Sequence, residues 1–292
     1  MNKRRRRFGD RADGYRIRTL PPMNTVAPYI MKKRSDACNF IHESVDIEKV
    51  EEYILKKRSE GLKGFGLLHV MIAAYVRLVS QRPGINRFIS GQKIYHRYSI
   101  EVMLMIKREM RLDAEETCVK MEFEPDATAE QIFERFQKLI DESRSGDESS
   151  NFDNAARIIN LIPGLFKKFT VWLLNFMDYF GLLPRFLTKL SPFHGSFFIT
   201  SMGSLGIPPV THHLYDFGNV PIFCSYGAKR TVYELNRQGK PVEKKYIDYT
   251  FNTDERICDG HYFASALKMF KEIMKNPEQL SQPPEKIVED IP

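Results

Sequence analysis

An α/β or α+β fold organised around one sheet is what this sequence predicts, and three observations predict it. Between residues 93 and 123, short runs alternate valine, isoleucine and methionine with polar residues, the period-two pattern of strands with one buried face. Two segments, residues 67–80 (LLHVMIAAYVRLVS) and 128–143 (TAEQIFERFQKLIDES), carry apolar side chains at helical spacing. Two remote stretches, residues 196–203 (SFFITSMG) and 254–260 (DERICDG), each close a strand-like run at a glycine. The second also opens a helical pattern, and loop residues held between rigid elements are where sites tend to form.

Taken in order, Tyr29 to Arg34 is expected as a short helix and Asn39 to Asp46 as a strand. Asp46 then reads as the N-cap of a helix that Gly61 and Gly64 end. The apolar helix at residues 67–80 is expected in the core; a lone His69 inside it reads as a hydrogen-bonded core residue before it reads as a catalyst. Pro83 and Gly84 break that helix. Strands follow at Lys93–His96, Ser99–Lys107 and Thr117–Phe123, with a charged turn near Asp113. Thr128 is the expected cap of the next helix, with Ile132, Phe133, Phe136, Leu139 and Ile140 facing inward.

A polar break at residues 144–150 leads into Ile158 to Leu190, which holds the single tryptophan, Trp172, and is punctuated by Pro163, Gly164, Gly181 and Pro184. Lys167, Lys168, Asp178 and Arg185 interrupt it, so no run reaches the ~20 apolar residues that span a bilayer. Two or three short helices are expected, with core, an oligomer contact, a cover over an acyl-chain pocket and a membrane-surface helix pair all open as their role. Strands then follow at Phe197–Ser201, Pro221–Tyr226 and Val242–Thr253. A helix from His261 to Asn276 should bury Ala264, Leu267, Phe270 and Met274.

With 292 residues, 42% of them hydrophobic, the chain can bury one or two cores. Its formal charge of +7 is local: residues 1–18 hold eight Lys or Arg against Asp10 and Asp13, a net +6, and everything else carries +1. Residues 1–28 are therefore expected as a disordered basic leader, solvated or offered to RNA, an acidic partner or an anionic membrane surface. No apolar run follows the basic start, which excludes a secretory signal. Cys38, Cys118, Cys224 and Cys258 are widely spaced without a CxxC pair, fitting reduced thiols in the cytoplasm. No phosphate-cradling glycine loop or Cys/His cluster is present, so no metal is expected; Asp254, Glu255 and Asp259 alone are a weak ligand set.

The order of these elements resembles the catalytic domain of the dihydrolipoyl acyltransferases of 2-oxo acid dehydrogenase complexes, and chloramphenicol acetyltransferase. The resemblance rests on Phe40-Ile-His-Glu-Ser-Val-Asp46, Pro83-Gly-Ile-Asn86, Phe198-Ile-Thr200-Ser-Met-Gly203, and Glu255-Arg-Ile-Cys-Asp259-Gly260 followed by an amphipathic helix and Asn276-Pro-Glu-Gln-Leu280. It covers about Ile30 to Leu280, with residues 147–192 mostly an insertion. It implies a two-layer sandwich with a mixed sheet and helices on one face, assembled as a trimer or a multiple of trimers. It also implies an activity: an acyl group passes from coenzyme A to a thiol or hydroxyl acceptor at a site between subunits. A catalytically inactive trimeric scaffold on the same fold is the competing expectation. No lipoyl-bearing domain is present, so no covalent lipoyl group is expected.

By position, Thr200 corresponds to the family's strand hydroxyl, which supports the tetrahedral oxyanion. Asp259 and Gly260 end its His-x-x-x-Asp-Gly motif, and Glu255 replaces the histidine that acts as base. Asn86, Ser201, Gly203 and Gly260 fall in the matching stretches and are expected to line the substrate cleft. A carboxylate near pKa 4.3 stands about two units further below a thiol than an imidazole near 6.5 does, about 3 kcal/mol of proton-transfer driving force. Only a fraction of that reaches the transition state, and burial or the neighbouring Asp259 would narrow the gap. His213, with Asp216 as its partner, is the alternative base. His42, His96 and His194 have no partner nameable from the sequence.

Overall fold

The computed structural model describes residues 6–107, 116–144 and 160–292. The turn expected near Asp113, the polar break at residues 145–150 and the adjoining residues 151–159 lie outside the described residues. Six strands form the main sheet in the order β2-β9-β8-β7-β5-β6: β2 (Cys38–Asp46), β5 (Ile100–Lys107), β6 (Glu116–Phe123), β7 (Phe197–Ser201), β8 (Ile222–Leu235) and β9 (Pro241–Asp254). The β5–β7 and β7–β8 pairs are parallel and the others antiparallel, so the sheet is mixed. A smaller sheet, β1-β4-β3, joins Gly14–Arg16, Lys93–Arg97 and Arg87–Ser90.

Four helices cover one face of the main sheet: α2 (Glu48–Ser59), α3 (Leu67–Gln81), α4 (Ala129–Arg144) and α7 (Gly260–Lys275). Val102, Phe197, Ile199, Cys224, Tyr249 and Phe251 face them, one from every second position of each strand. The result is a two-layer sandwich whose core lies between sheet and helices. α3 runs as expected and is buried from His69 to Ser80. Thr128 and Gln131 exchange hydrogen bonds at the start of α4, Thr128 N to Gln131 Oε1 at 2.9 Å and Gln131 N to Thr128 Oγ1 at 3.4 Å. In α7 the buried stripe is Phe263, Ala266, Phe270, Ile273 and Met274; Ala264, expected inside, is exposed.

Several expectations are corrected. The first helix is α1 (Pro22–Ile30), not Tyr29–Arg34. Residues 10–18, expected in a disordered leader, are part of the fold: β1 pairs with β4, and Arg11 is buried between Asp13 at 3.0 Å and Asp178 at 2.6 Å. Asp13 in turn faces the buried Arg97 at 3.5 Å, and Arg18 pairs with Asp10 at 3.1 Å. Basic residues read as a solvated tail are thus consumed by carboxylates, one of them 167 positions away. Asp46 does not cap α2 from the N-cap position, which Ile47 occupies, yet its carboxylate accepts from Glu48 N at 2.9 Å.

β8 continues nine residues beyond the expected end at Tyr226 and pairs with β9 as a long arm. Between Tyr226 and Lys229 a bulge shifts the register, β8 gaining one residue over β9. Between α4 and β7 lie α5 (Gly164–Tyr179) and α6 (Arg185–Leu190). No residue of α5 is buried. Among the described residues no helix is long and apolar enough to cross a membrane.

Candidate functional site

The turn after β9 is held by charge. Asp254 is fully buried and lies between two guanidiniums, Arg256 at 2.6 Å and Arg34 at 3.5 Å. Arg256 also donates to Met31 O at 2.7 Å, while Arg34 donates to Tyr215 O at 2.7 Å and Gly218 O at 2.9 Å. Complete burial pulls the Arg34 guanidinium below its ordinary pKa, with Asp254 opposing. One carboxylate therefore ties the motif turn to the segment after α1 and to the loop before β8.

From that anchor the chain turns outward. Glu255 is exposed and its side chain makes no hydrogen bond or ion pair with the described residues; its backbone N–H donates to Ala37 O at 2.9 Å. The burial expected to tune this carboxylate is absent within one copy. Asp259 caps α7, accepting from Tyr262 N at 2.8 Å, and Gly260 is the exposed first residue of that helix. The Pro83–Asn86 turn packs alongside: Gly84 N donates to the Tyr262 hydroxyl at 2.8 Å. A Cβ on Gly84 would lie 2.8 Å from that ring, which explains the glycine. Asn86 is buried, donates to Ser99 O at 3.1 Å, and lines a cavity of about 330 Å³ with His96 and Asp290, away from Thr200.

Thr200 belongs to a different place. Registers β7–β8, β8–β9 and β2–β9 put Thr200, Ser225, Thr250 and His42 in one row across four strands, on the face without helices. The Thr200 hydroxyl is half-buried and without a hydrogen-bond partner among the described residues. Ser225 and Thr250 clamp the backbone of Val210, which donates to Ser225 Oγ at 3.1 Å and accepts from Thr250 Oγ1 at 2.8 Å. Thr211 Oγ1 lies 3.4 Å from His42 Nε2. This row is a feature that sequence reasoning missed, because register alone creates it.

Ser201, expected beside Thr200, is its strand neighbour and points to the other face, opposite Tyr226 of β8. Gly203 opens a short 3-10 turn next to Gly227, whose own missing Cβ leaves room for Pro209 at 2.6 Å. The expected His213–Asp216 pair does not form. Asp216 accepts from Ser35 N at 2.9 Å and from Ser35 Oγ at 3.1 Å, while the exposed His213 stacks on His212 with ring centroids 4.7 Å apart. His212 stacks in turn on Phe223 at 4.1 Å, and burial lowers its pKa. His96 and His194, unassigned from sequence, face Asp290 at 3.0 Å and Asp178 at 3.6 Å.

Glu255 and Thr200 do not meet within one chain. Along β9, Glu255 lies five residues beyond Thr250, and Thr250 is two strands from Thr200; at ~3.3 Å per residue and ~4.8 Å per strand the two stand roughly 20 Å apart. Among the described residues no group of three or more His, Cys, Asp or Glu is gathered as a metal ion would require.

No protein-family profile matches the chain. No curated protein matches it in sequence either. Solved structures do match. The catalytic dihydrolipoamide acetyltransferase of Azotobacter vinelandii superposes with a TM-score of 0.59 at 12% identity, covering 90% of this chain and 93% of that one. A probable dihydrolipoamide acetyltransferase from Listeria monocytogenes gives 0.57 at 14% identity, covering 89% and 95%. Chloramphenicol acetyltransferase gives 0.54 at 11% identity, covering 86% and 94%. The chain thus has the fold that these acyltransferases share, a mixed sheet with helices.

Proposed function

We propose that the chain is an acyltransferase that moves an acyl group from a coenzyme A thioester to a thiol or hydroxyl acceptor, at a site completed between copies of a homotrimer. One observation carries this reading. On the acyltransferase fold, the strand hydroxyl Thr200 is left unpaired, while a buried Arg34–Asp254–Arg256 cluster holds the motif turn rigidly some 20 Å away, so that the two halves suit neighbouring subunits rather than one. Thr200 would donate to the oxyanion of the tetrahedral intermediate, and its lack of an internal partner leaves the hydroxyl free to do so. Glu255 would accept the acceptor's proton, and Asp259 would fix the turn by capping α7.

In the Azotobacter enzyme a serine, a histidine and an asparagine were studied for their catalytic roles; by the motif resemblance, Thr200, Glu255 and Asp259 would take the corresponding places here. The exposed Glu255 also favours a second reading, a non-catalytic ligand-binding trimer. The four free cysteines fit a reducing, cytoplasmic setting in either case. Acyl transfer from acyl-CoAs of rising chain length to thiol and hydroxyl acceptors tests the proposal, with CoA-dependent thermal shifts as a second readout. Turnover that falls at least about tenfold in Thr200→Ala and Glu255→Ala supports it. CoA binding without turnover selects the second reading, and wild-type turnover in both variants refutes the assignments.

A further inference from the structure

α5 presents its apolar side to solvent. Leu165, Phe169, Trp172, Phe176 and Phe180 recur at spacings of four, three, four and four, one stripe of a helix. Successive rings contact one another, Phe169–Trp172 and Trp172–Phe176 with centroids 5.6 Å apart and Phe176–Phe180 at 4.9 Å. Leu165 is 80% exposed and Trp172 56%. The helix is not loose. Asp178, about 200° around the helix from both Phe176 and Phe180, fastens the opposite side to the body through Arg11 at 2.6 Å. The stripe is therefore held outward by design of the ion pair.

The neighbourhood extends this surface. α1 exposes Met23, Val26 and Ile30 at spacings of three and four. Tyr29 lines one cavity together with Tyr179 and Phe180, which places the two helices side by side. Cations border the apolar area: Lys32 and Lys33 share a cavity with Tyr179, and Lys168 flanks the stripe on α5 itself, all three exposed. Asp178 is the sole acid between residues 160 and 192, and it is spent on Arg11. A two-fold pairing of this face with itself would set these cations against each other. An anionic bilayer surface satisfies both parts, apolar stripe and basic border, and the headgroup region suits Trp and Tyr.

We infer that α1 and α5 form a docking surface for a membrane carrying anionic phospholipid, on which the protein lies without crossing the bilayer. This goes beyond acyl transfer, and no readout below depends on turnover. Trp172, the only tryptophan, reports directly on the proposed contact. Whole protein is titrated with phosphatidylcholine vesicles with and without phosphatidylglycerol, following sedimentation, Trp172 emission and its quenching by brominated acyl chains. Binding that requires phosphatidylglycerol, with a blue shift and quenching, is the expected result. Lys168→Ala should weaken it about fivefold. Phe169→Ser with Phe176→Ser should weaken it at least about tenfold at an unchanged melting temperature, since both side chains are already exposed. Absence of binding overturns the inference. So does emission that is blue without lipid and moves red on dilution, which would show a second copy covering the face.

Discussion

Replacing Asp254 by asparagine removes one negative charge from between two guanidiniums while keeping the shape of the side chain. Asp254 is fully buried, and the Arg34 and Arg256 side chains are 5% and 2% exposed, so neither cation can turn to water without breaking its backbone contacts. Breaking a buried pair by removing one partner costs about 3–5 kcal/mol, because the remaining charge is left uncompensated. In a chain of this size about 1 kcal/mol moves the melting temperature by about 2 °C, so Asp254→Asn should lower it by about 6–10 °C. Differential scanning calorimetry reads this directly. The same network makes a second demand. Arg256→Met in the Asp254→Asn background removes one of the stranded charges, so the double variant should be less destabilised than the two single losses added together. A shift below about 2 °C for Asp254→Asn, or strict additivity in the double variant, would show that the cluster does not hold the turn.

Two further outcomes follow from single side chains. His69 is buried among Phe65, Phe133 and Phe136, its Nδ1 accepts from Gly66 N at 3.0 Å, and burial pulls its pKa down to about 4. The folded state thus binds its proton less readily than the unfolded chain, so stability is full above about pH 6.5 and is lost as pH falls toward 4; between pH 7.5 and 5 the loss is about 2 kcal/mol. Urea titrations of wild type and His69→Asn should differ by that pH-dependent amount, and parallel curves would contradict the assignment. Asp259→Ala removes the cap of α7 and should cost about 1 kcal/mol in the same titrations, with Asp259→Ser recovering most of it; equal stability of all three would refute the capping role.

The parts of the fold that local pattern dictates were readable in advance. α3 and α4 announce themselves by apolar spacing, β7 by its run of Phe197, Phe198 and Ile199, and α7 by Asp259 before an amphipathic stretch. What long-range partners decide was not. Arg11 looks like one more cation of a basic tail until Asp178 is placed beside it. The distal half of β8, Lys229 to Leu235, is too polar to read as strand and is held by pairing with β9. The candidate site divides the same way: the motif turn is visible in sequence, whereas the row joining Thr200 to His42 exists only through register. Proximity in sequence pairs Asp216 with His213, whereas its carboxylate bonds Ser35 instead.

The bulge at Gly227 and Ala228 separates two reading frames of one strand. Before it, even-numbered residues of β8 such as Cys224 and Tyr226 look toward the helices; after it, Lys229 stands opposite Ile247, so odd-numbered residues take that side. The inner half can thus keep Ser225 aligned with Thr200 while the outer half drifts in sequence under separate demands. Deleting either Gly227 or Ala228 would remove the bulge and leave Lys229 opposite Ile247, whereas deleting a residue farther along β8 would turn every later side chain of the arm to the wrong face and leave the inner rows untouched.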